Sequence, residues 1–464
     1  NSLNEISKYR LKFQRYLTLL LNDYHKTNYS YQYYDLILGN WVEEFIQLAY
    51  VAWLEREVLP LKNSLGPLSI KIPEDYIDFV RLRDKPGSPL QNHLHIATSI
   101  LCEGGKAQSS WFNLESSLIS TGQKSNIRKI LREGISTSRP RLLITSAYWK
   151  CSNFKKFNLA WKWRSWAKFD ELLYPIDVET SIDIKWRLLA STDFSKINRF
   201  EDLGYALLPL YLPLLFLEGF QSFREKALRL SLHRPKAMFS ANALYSNLLF
   251  KLLAAEWQKK GTKLLYGQHG GGYGIDRIPH VYEEYETRVS DCYYSWGWNL
   301  DDRLIKPLAP PLPKHSVKKT INILLVCSNY HIYNSLVRIH FCPMDERITL
   351  HQNEVCDFLH NLSDHRKLLI RHYYDSVSIT YSKLRNASPK AIFEAPNQAS
   401  SFLRFCQSEL VVHSYLGTSY LETLALNIPT ICFYDSESHS FRSEVQPFVN
   451  ALEKVSIFHR SGKN

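Results

Sequence analysis

The chain has 464 residues, of which 45% are hydrophobic and 22% charged. This balance excludes a disordered or fibrous chain, and the length favours two or three domains over one compact core. Lysine and arginine exceed aspartate and glutamate by 12 (57 against 45), which suits an anionic ligand, an anionic membrane surface or nucleic acid. The basic residues form no long run, so nucleic acid is the least favoured of the three.

The cysteines and the hydropathy indicate the cellular setting. The eight cysteines contain no CxxC pair, and Cys327 and Cys432 lie inside apolar runs, which is typical of buried free thiols in a reducing compartment. No signal-peptide pattern opens the sequence, and the most apolar segment, 206–219, contains two prolines and is too short to span a bilayer. We predict a cytoplasmic protein with a buried or interfacial helix pair at 206–219, and peripheral contact with the inner face of a membrane stays open.

The first part of the sequence is predicted to be mainly helical. Apolar residues spaced three and four apart predict helices over 3–65 and 124–133, and a buried strand is predicted over 140–149. The segment 161–166 is rich in tryptophan, lysine and arginine, residues that can stack on nucleic-acid bases. No nucleic-acid recognition motif accompanies it, so we interpret it as a packed aromatic surface.

A clearer alternation of strands and helices follows. The pattern predicts a short strand over 236–240, an amphipathic helix over 241–259 and a second strand over 263–266. The sequence GQHGGGYG, residues 267–274, comes directly after this strand. A short helix and another strand are predicted within 281–298.

Four prolines without periodicity indicate a linker, which we place at 306–317, between an N-terminal domain of 1–305 and a C-terminal domain of 318–464. Alternating elements on both sides of it predict an α/β fold. We expect a GT-B-like arrangement, with two Rossmann-like domains facing a central cleft and extra N-terminal helices. The elements predicted after the linker are strands over 321–327 and 367–371 and helices over 348–362 and 402–407.

The glycine-rich sequence at 267–274 is a candidate site because open α/β sheets bind ligands where their strands end. Glycine lets the backbone approach a ligand closely, so Gly270, Gly271 and the adjacent Gln268 are candidate contacts. No Gly-Lys-Ser/Thr follows and no long helix opens directly behind, which excludes a Walker loop and a nicotinamide fingerprint. His269, with an ordinary pKa near neutrality, is a candidate general base, and a structural histidine is the alternative.

A second candidate site lies within 411–435, where a strand, a small-residue turn, a helix and a strand follow one another. The turn Gly417-Thr418-Ser419 opens the helix, whose N terminus offers unpaired N–H groups and partial positive charge to a phosphate. An ordinary βαβ unit with Thr418 or Ser419 as N-cap stays the alternative. Ser414 before the turn and Glu422 one turn into the helix are further candidate contacts.

Other polar residues occupy comparable positions. Arg371 and His372 follow an apolar run, where the arginine supplies permanent charge to a phosphate or pairs with a surface carboxylate. Ser328 also follows a strand. Glu286 and Asp291 flank the run into the strand within 281–298, and either is a candidate base or nucleophile. The sequence contains no Asp-x-Asp metal motif, so we predict no metal site.

Five segments together resemble a family of bacterial transferases encoded in surface-polysaccharide loci, which is distantly similar to the Kdo transferases of capsule and O-antigen synthesis. The resemblance covers roughly residues 15–464, and its QHGG and TSYLETLALNIPT segments are fairly specific. It implies a GT-B glycosyltransferase whose donor is CMP-activated Kdo or a nonulosonic acid, with no other cofactor. The segments are NDYHKTNYSYQYYDLILGNWVEEFI (22–46), YGQHGGGYG (266–274), SDCYYSWGW (290–298), LLIRHYYD (368–375) and VVHSYLGTSYLETLALNIPTICFYD (411–435).

The resemblance also shows where this sequence departs from the similar Kdo transferases. There, a QDG loop faces an HP element and an S/T pair. Here QHG places His269 at the acidic position, Tyr373 replaces the proline after His372, and Gly417-Thr418-Ser419 matches the S/T pair. Because the carboxylate is missing, inversion or retention at the sugar stays open. Family members usually carry a further N-terminal strand, which we expect this sequence to lack.

From these observations we predict a metal-independent glycosyltransferase that transfers a sugar from a nucleotide donor to a surface-polysaccharide or glycolipid acceptor. Thr418 and Ser419 would hold the donor phosphate with support from Arg371, and His269 would act as base. Two alternatives stay open. One is a CDP-polyol phosphotransferase of the same fold, and the other is a non-catalytic protein that uses its charge to bind an anionic surface or nucleic acid.

Overall fold

The computed structural model describes residues 2–58, 69–84, 89–121, 140–147, 167–170, 172–191, 197–230, 232–277, 281–300, 302–308, 312, 317–327, 346–362, 368–372, 379–395, 398–435 and 439–463. The helix predicted over 124–133, the aromatic segment 161–166 and Ser328 lie outside these residues.

Helices and strands alternate through most of the described chain. The helices are α1 (Ser2–His25), α2 (Tyr31–Val58), α3 (Tyr76–Asp84), α4 (Pro89–Cys102), α5 (Ile184–Ser191), α6 (Phe200–Tyr211), α7 (Phe220–Arg229), α8 (Ala243–Ser246), α9 (Leu248–Gln258), α10 (Val281–Val289), α11 (Glu346–Asn361), α12 (Ile379–Ala387), α13 (Ser401–Gln407), α14 (Thr418–Ala425) and α15 (Gln446–Lys454). The strands are β1 (Ile70–Lys71), β2 (Phe112–Asn113), β3 (Ser117–Thr121), β4 (Leu142–Thr145), β5 (Ala167–Phe169), β6 (Ile176–Thr180), β7 (Ala237–Ser240), β8 (Lys263–Gly267), β9 (Cys292–Ser295), β10 (Ile305–Pro307), β11 (Ile321–Cys327), β12 (Leu368–His372), β13 (Ile392–Phe393), β14 (Ser408–His413), β15 (Thr430–Phe433) and β16 (Phe458–His459).

Two large sheets, each with all neighbouring strands parallel, organise the fold. Among the described residues, the first has the order β5-β4-β7-β8-β9-β10 and the second the order β13-β12-β11-β14-β15-β16. The second order is that of a doubly wound nucleotide-binding sheet, whose strands build outward in both directions from the β11/β14 pair. The predicted α/β fold with two Rossmann-like units is confirmed.

Two predicted boundaries differ from the structure. β10 includes Lys306 and Pro307 and pairs with β9, so the first sheet extends into the segment predicted as linker, while the domain limits themselves stay a prediction. The helix predicted over 241–259 is divided into α8 and α9, because the Asn247 side chain accepts a hydrogen bond from Phe250 N at 2.9 Å and caps α9. Asparagine is among the strongest N-cap residues, which favours a new helix start at this point.

The apolar segment 206–219 is buried, as predicted. It comprises the end of α6 and a 3₁₀ turn, Leu214–Phe216, so it is one helix and a turn rather than a helix pair. Leu207, Leu210 and Leu215 are fully excluded from solvent. Of the helices that the structure describes, none combines the length and the apolar character needed to cross a membrane.

The first sheet packs against a helical layer whose central element is α2. Residues 33–46 of this helix are buried without interruption, and the buried set includes carboxylates. Arg288 of α10 donates to Asp35 at 2.8 and 3.0 Å and to Glu43 at 2.8 Å, while Glu44 pairs with Arg83. The buried charges are therefore partnered, as burial in a low-dielectric interior requires.

The cysteines of the described chain are free thiols. Cys327 and Cys432 are 1% and 0% exposed, which confirms the prediction for these two strand residues. Burial raises the pKa of the Cys327 thiol to about 12, so it stays protonated at neutral pH and behaves as a small apolar side chain.

Candidate functional site

The two predicted loops meet directly. The amide N–H of Gly271 donates a hydrogen bond to Thr418 Oγ1 at 2.9 Å. A Cβ at Gly271 would lie 2.5 Å from the carbonyl oxygen of Gly417 and 3.0 Å from Thr418 Cα, so only glycine permits this approach. The loop after β8 and the turn before α14, which sequence reasoning selected separately, thus form one site between the two sheets.

The turn before α14 lies at the point where the second sheet changes direction. It follows His413, the last residue of β14, and Val326 of β11 pairs with both His413 and Arg371 of β12. Ligands of doubly wound sheets bind outside the carboxyl ends of the strands at this kind of switch point. Gly417 is the N-cap residue of α14 and has no side chain that could cap the helix. Within the described part of the chain, no side chain accepts a hydrogen bond from the first-turn amides.

His413 is buried beneath this turn. Its Nδ1 lies 3.1 Å from Ser419 Oγ and its Nε2 lies 3.1 Å from Thr423 Oγ1. Complete burial lowers the pKa of His413 to about 3, so the ring is neutral and orients the two hydroxyls. Ser419 and Thr423 share one face of the helix and contact the histidine, whereas Thr418 and Glu422 share another face.

Ser414 and Glu422 have different surroundings. The Ser414 hydroxyl is fully buried and donates to Val326 O at 3.3 Å, so the structure gives it a role in joining β14 to β11. No hydrogen bond or ion pair within the described residues engages the Glu422 carboxylate, and burial raises its pKa to about 7. A half-buried carboxylate of this kind can accept hydrogen bonds from ligand hydroxyls.

His269, near the start of the glycine-rich loop, lies beside Glu286 of α10. His269 Nδ1 lies 3.7 Å from Glu286 Oε1, and the two side chains are 19% and 1% exposed. Tyr273 completes the group, since its hydroxyl lies 3.4 Å from His269 Nε2 and 3.5 Å from Glu286 Oε1. Burial lowers the pKa of His269 to about 4 and raises the pKa of Glu286 well above its usual range. The His269 ring is therefore neutral at physiological pH, and burial favours the protonated form of the Glu286 carboxyl that lies beneath it.

Gln268 holds the shape of the loop. Its Nε2 donates to Gly270 O at 2.7 Å, and its Oε1 accepts hydrogen bonds from Trp296 N and Trp298 Nε1, both at 2.8 Å. These bonds tie the loop to the segment after β9. Gln268, a predicted ligand contact, therefore uses its side-chain amide for hydrogen bonds within the protein.

Asp291 lies at the opposite edge of the first sheet from His269. Its carboxylate accepts hydrogen bonds from Lys263 Nζ at 2.7 Å and from Leu264 N at 2.8 Å, at the amino end of β8, whereas His269 follows the carboxyl end. Five strand residues at about 3.3 Å each separate the two ends by roughly 16 Å. The structure does not bring Asp291 to the site, and of the two acidic candidates only Glu286 is there.

Arg371 is placed at the switch-point edge of the second sheet but already has a partner. It donates to Glu394 Oε2 at 2.6 Å and to Ala399 O at 3.0 Å, and Arg404 donates to the other oxygen of Glu394 at 2.6 Å. The alternative interpretation, an arginine that pairs with a carboxylate, thus describes the structure. His372 follows Arg371 at the same edge, in register with Cys327.

Comparison with known proteins identifies the family. The model of the LIC12162 family transferase matches residues 1–464. The chain belongs to this family of transferases. No curated protein sequence matches it. Among solved structures, the chain is similar to Acinetobacter baumannii MurG (11% identity, 69% of this chain and 84% of that chain covered, TM-score 0.31) and to a mutant of Thermobaculum terrenum O-GlcNAc transferase (12% identity, 70% and 58% covered, TM-score 0.33).

Sequence reasoning missed one residue at the centre of the candidate site. Tyr273 is 1% exposed and contacts both His269 and Glu286, yet only glycine, glutamine and histidine were considered within GQHGGGYG. Tyr273 lies four residues after His269, directly after three glycines, and this position could have indicated that its side chain folds back toward the histidine. Among the described residues, no group of three histidine, cysteine, aspartate or glutamate side chains is placed to hold a metal ion.

Proposed function

We propose that this transferase is a glycosyltransferase that moves a sugar from a nucleotide donor to a surface-polysaccharide or glycolipid acceptor. The observation that carries the proposal is the hydrogen bond between Gly271 and Thr418. This bond joins two parts of the molecule. One is the loop that carries the neutral His269 beside a carboxyl. The other is the N terminus of α14, which begins at Gly417 and lies at the switch point of a doubly wound sheet. Proton transfer and phosphate binding are the two functions that sugar transfer from a nucleotide requires.

The donor phosphate is proposed to bind at the N terminus of α14. The amides of its first turn and the hydroxyls of Thr418 and Ser419 supply donors, and the partial positive charge of the helix end stabilises an anion. Glu422, one turn further on the Thr418 face, would accept hydrogen bonds from sugar or ribose hydroxyls. Arg371 adds positive potential, which Glu394 partly cancels. With these groups the leaving phosphate needs no metal ion, and we propose metal-independent transfer.

In the proposed reaction, His269 acts as the general base. The acceptor hydroxyl oxygen forms a bond to the anomeric carbon, the bond from that carbon to the phosphate oxygen breaks, and the electron pair leaves with the nucleotide. The hydroxyl proton passes to the neutral imidazole. The imidazolium lies 3.7 Å from Glu286 and lowers the pKa of that carboxyl, which gives its own proton to water and then stabilises the imidazolium as a carboxylate. Tyr273 fixes the two side chains relative to each other.

The donor is proposed to be CMP-activated Kdo or a nonulosonic acid. Support comes from the sequence resemblance and from the glycine-rich loop, whose amides suit the carboxylate of an ulosonic acid. Gln268 would shape this loop from within rather than bind the carboxylate itself. The net charge of +12 suits acceptors at an anionic surface.

A thermal-shift screen of the full chain with CMP, CDP, UDP and GDP tests the donor class, and a transfer assay with CMP-Kdo in EDTA tests the chemistry. We expect CMP to raise the Tm most and transfer to persist in EDTA. Stabilisation by CDP alone would indicate that the donor is a CDP-polyol and not a CMP-activated sugar. No response to any nucleotide, together with salt-dependent binding to DNA, would overturn the transferase proposal in favour of a binding protein.

A further inference from the structure

The glycine-rich loop is held from the second unit at a place other than Thr418. Residues 275–277 run antiparallel to residues 440–442: Arg277 N donates to Ser440 O and Arg442 N donates to Ile275 O, both at 2.9 Å, and Asp276 pairs with Phe441. Segment 440–442 belongs to the second unit, because Phe441 packs against the apolar cluster that contains Leu416 and Tyr420. The end of the loop is thus attached to the same packed layer as α14.

The Arg442 side chain strengthens this attachment and extends it to α10. Its Nε donates to Asp276 O at 3.0 Å and its Nη2 donates to Glu283 Oε1 at 2.6 Å. The other oxygen of Glu283 accepts the Gly274 amide at 2.8 Å. Glu283 is 3% exposed, so its charge has little access to water and depends on the arginine. One guanidinium therefore joins the second unit to the loop and to the helix behind it.

The helix that Arg442 fixes also carries Glu286. Glu283 and Glu286 lie one turn apart on α10, on the same face of the helix, and Glu286 is the carboxyl beneath His269. A shift of α10 or of the loop end at Gly274 would change the distance between His269 and Glu286, since His269 lies at the start of the same loop.

We propose that Arg442 is a positioning residue, which keeps the glycine-rich loop and α10 in the arrangement that His269 and Glu286 need opposite α14. The catalytic part of this inference rests on the proposed glycosyl transfer, while the structural part does not. Arginine is suited to the task because its planar fork contacts a carbonyl and a carboxylate at once, which a lysine ammonium cannot reproduce in the same geometry.

Amide hydrogen exchange of the ligand-free full chain tests the structural part. We expect Arg442→Ala to speed the exchange of residues 266–277 by about tenfold or more, and Arg442→Lys by less. Arg460→Ala is the matched control, because Arg460 makes a two-pronged contact to Glu453 of the second unit, at 2.8 and 3.1 Å, away from the loop. Exchange in Arg442→Ala equal to that of the wild type would overturn the inference.

Kinetics test the positioning role separately. We expect Arg442→Ala to lower kcat for transfer from CMP-Kdo by about tenfold while the Kd for CMP changes little, with partial recovery in Arg442→Lys. Faster loop exchange with wild-type kcat would overturn the positioning role. If the wild type itself transfers no sugar, the proposed function fails. The hydrogen-exchange result would still show whether Arg442 attaches the glycine-rich loop to the second unit. If Arg442→Ala does not fold, Glu283→Gln, which keeps an acceptor for Gly274, must show the same changes to a smaller extent.

Discussion

The two loops that meet at Gly271 and Thr418 each follow the carboxyl end of a parallel strand, yet they differ in chemistry. The loop after β8 presents His269, 19% exposed, in front of Glu286. The turn after β14 also begins at a histidine, but His413 is fully buried between Ser419 and Thr423. The carboxyl edge of the first sheet therefore carries a partly exposed histidine beside a carboxyl, and the carboxyl edge of the second carries a buried histidine that orients hydroxyls.

This difference shows that strand-end position alone does not assign a role. What separates the two histidines is access to solvent and the identity of the neighbours, a carboxyl for His269 and two hydroxyls for His413. In our proposal the first unit performs proton transfer and the second binds the anion. Substitutions on either side can therefore separate turnover from ligand binding.

The largest expected effect is that of His269→Ala. Loss of a general base lowers kcat by roughly 10²- to 10⁴-fold, whereas CMP binding, which we propose for the other unit, changes little. Steady-state transfer rates and CMP titration measure the two quantities. If the variant turns over like the wild type, His269 has no part in the reaction. The two histidines would then differ in solvent exposure and not in chemical role.

Gly271→Ala should weaken the contact between the loops. The added Cβ would overlap the Gly417 carbonyl, and overpacking of this kind costs about 1–3 kcal/mol, which corresponds to a roughly 5- to 150-fold loss of transfer. Gly270→Ala is the matched control, because its Cβ would lie 3.5 Å from Thr418 Oγ1, an ordinary contact. Equal activity of the two variants would mean that the loops need not touch during the reaction.

Glu286→Gln should lower kcat by about tenfold, because the amide cannot ionise to stabilise an imidazolium, and should alter the pH dependence of kcat. Asp291→Asn is the control, since Asp291 lies at the other edge of the sheet, and we expect it to stay within about twofold of the wild type. If Asp291→Asn proves the more damaging substitution, the placement of the acid beneath His269 is wrong.

The smallest effect concerns Glu422 and is a pH dependence of stability. Burial raises its pKa from 4.5 to about 7, so between these pH values the folded protein keeps a proton that the unfolded chain loses. The stabilisation is full below pH 4.5 and is lost as the pH rises through 7. Relative to the wild type, Glu422→Gln should therefore gain roughly 2–4 °C in Tm from pH 4.5 to pH 8. Glu409→Gln, an exposed carboxylate of the same unit, should show no such change.

The sequence predicted the two parallel-sheet units and both loops, because apolar runs, glycine runs and helix starts are local signals. The family resemblance implied that the two loops face each other, but no local pattern predicts the direct contact of Gly271 with Thr418, because 147 residues separate them. The sequence analysis placed Asp291 among the site candidates, although the direction of the strand argued against this position. A residue that precedes a parallel strand lies at the amino edge of the sheet, away from His269. The pairing of Arg371 with Glu394 and Arg404 depends on a side-chain arrangement that no local pattern encodes.

The buried helix α2 has a consequence for how the chain is made. Asp35 reaches its partner Arg288 across 253 residues of sequence, and α9 and α10, which cover part of α2, are synthesised long after it. Until then α2 exposes an apolar helix with unpaired carboxylates, the kind of surface that aggregates or recruits chaperones. The final surroundings of α2 can therefore form only after α10 has emerged from the ribosome.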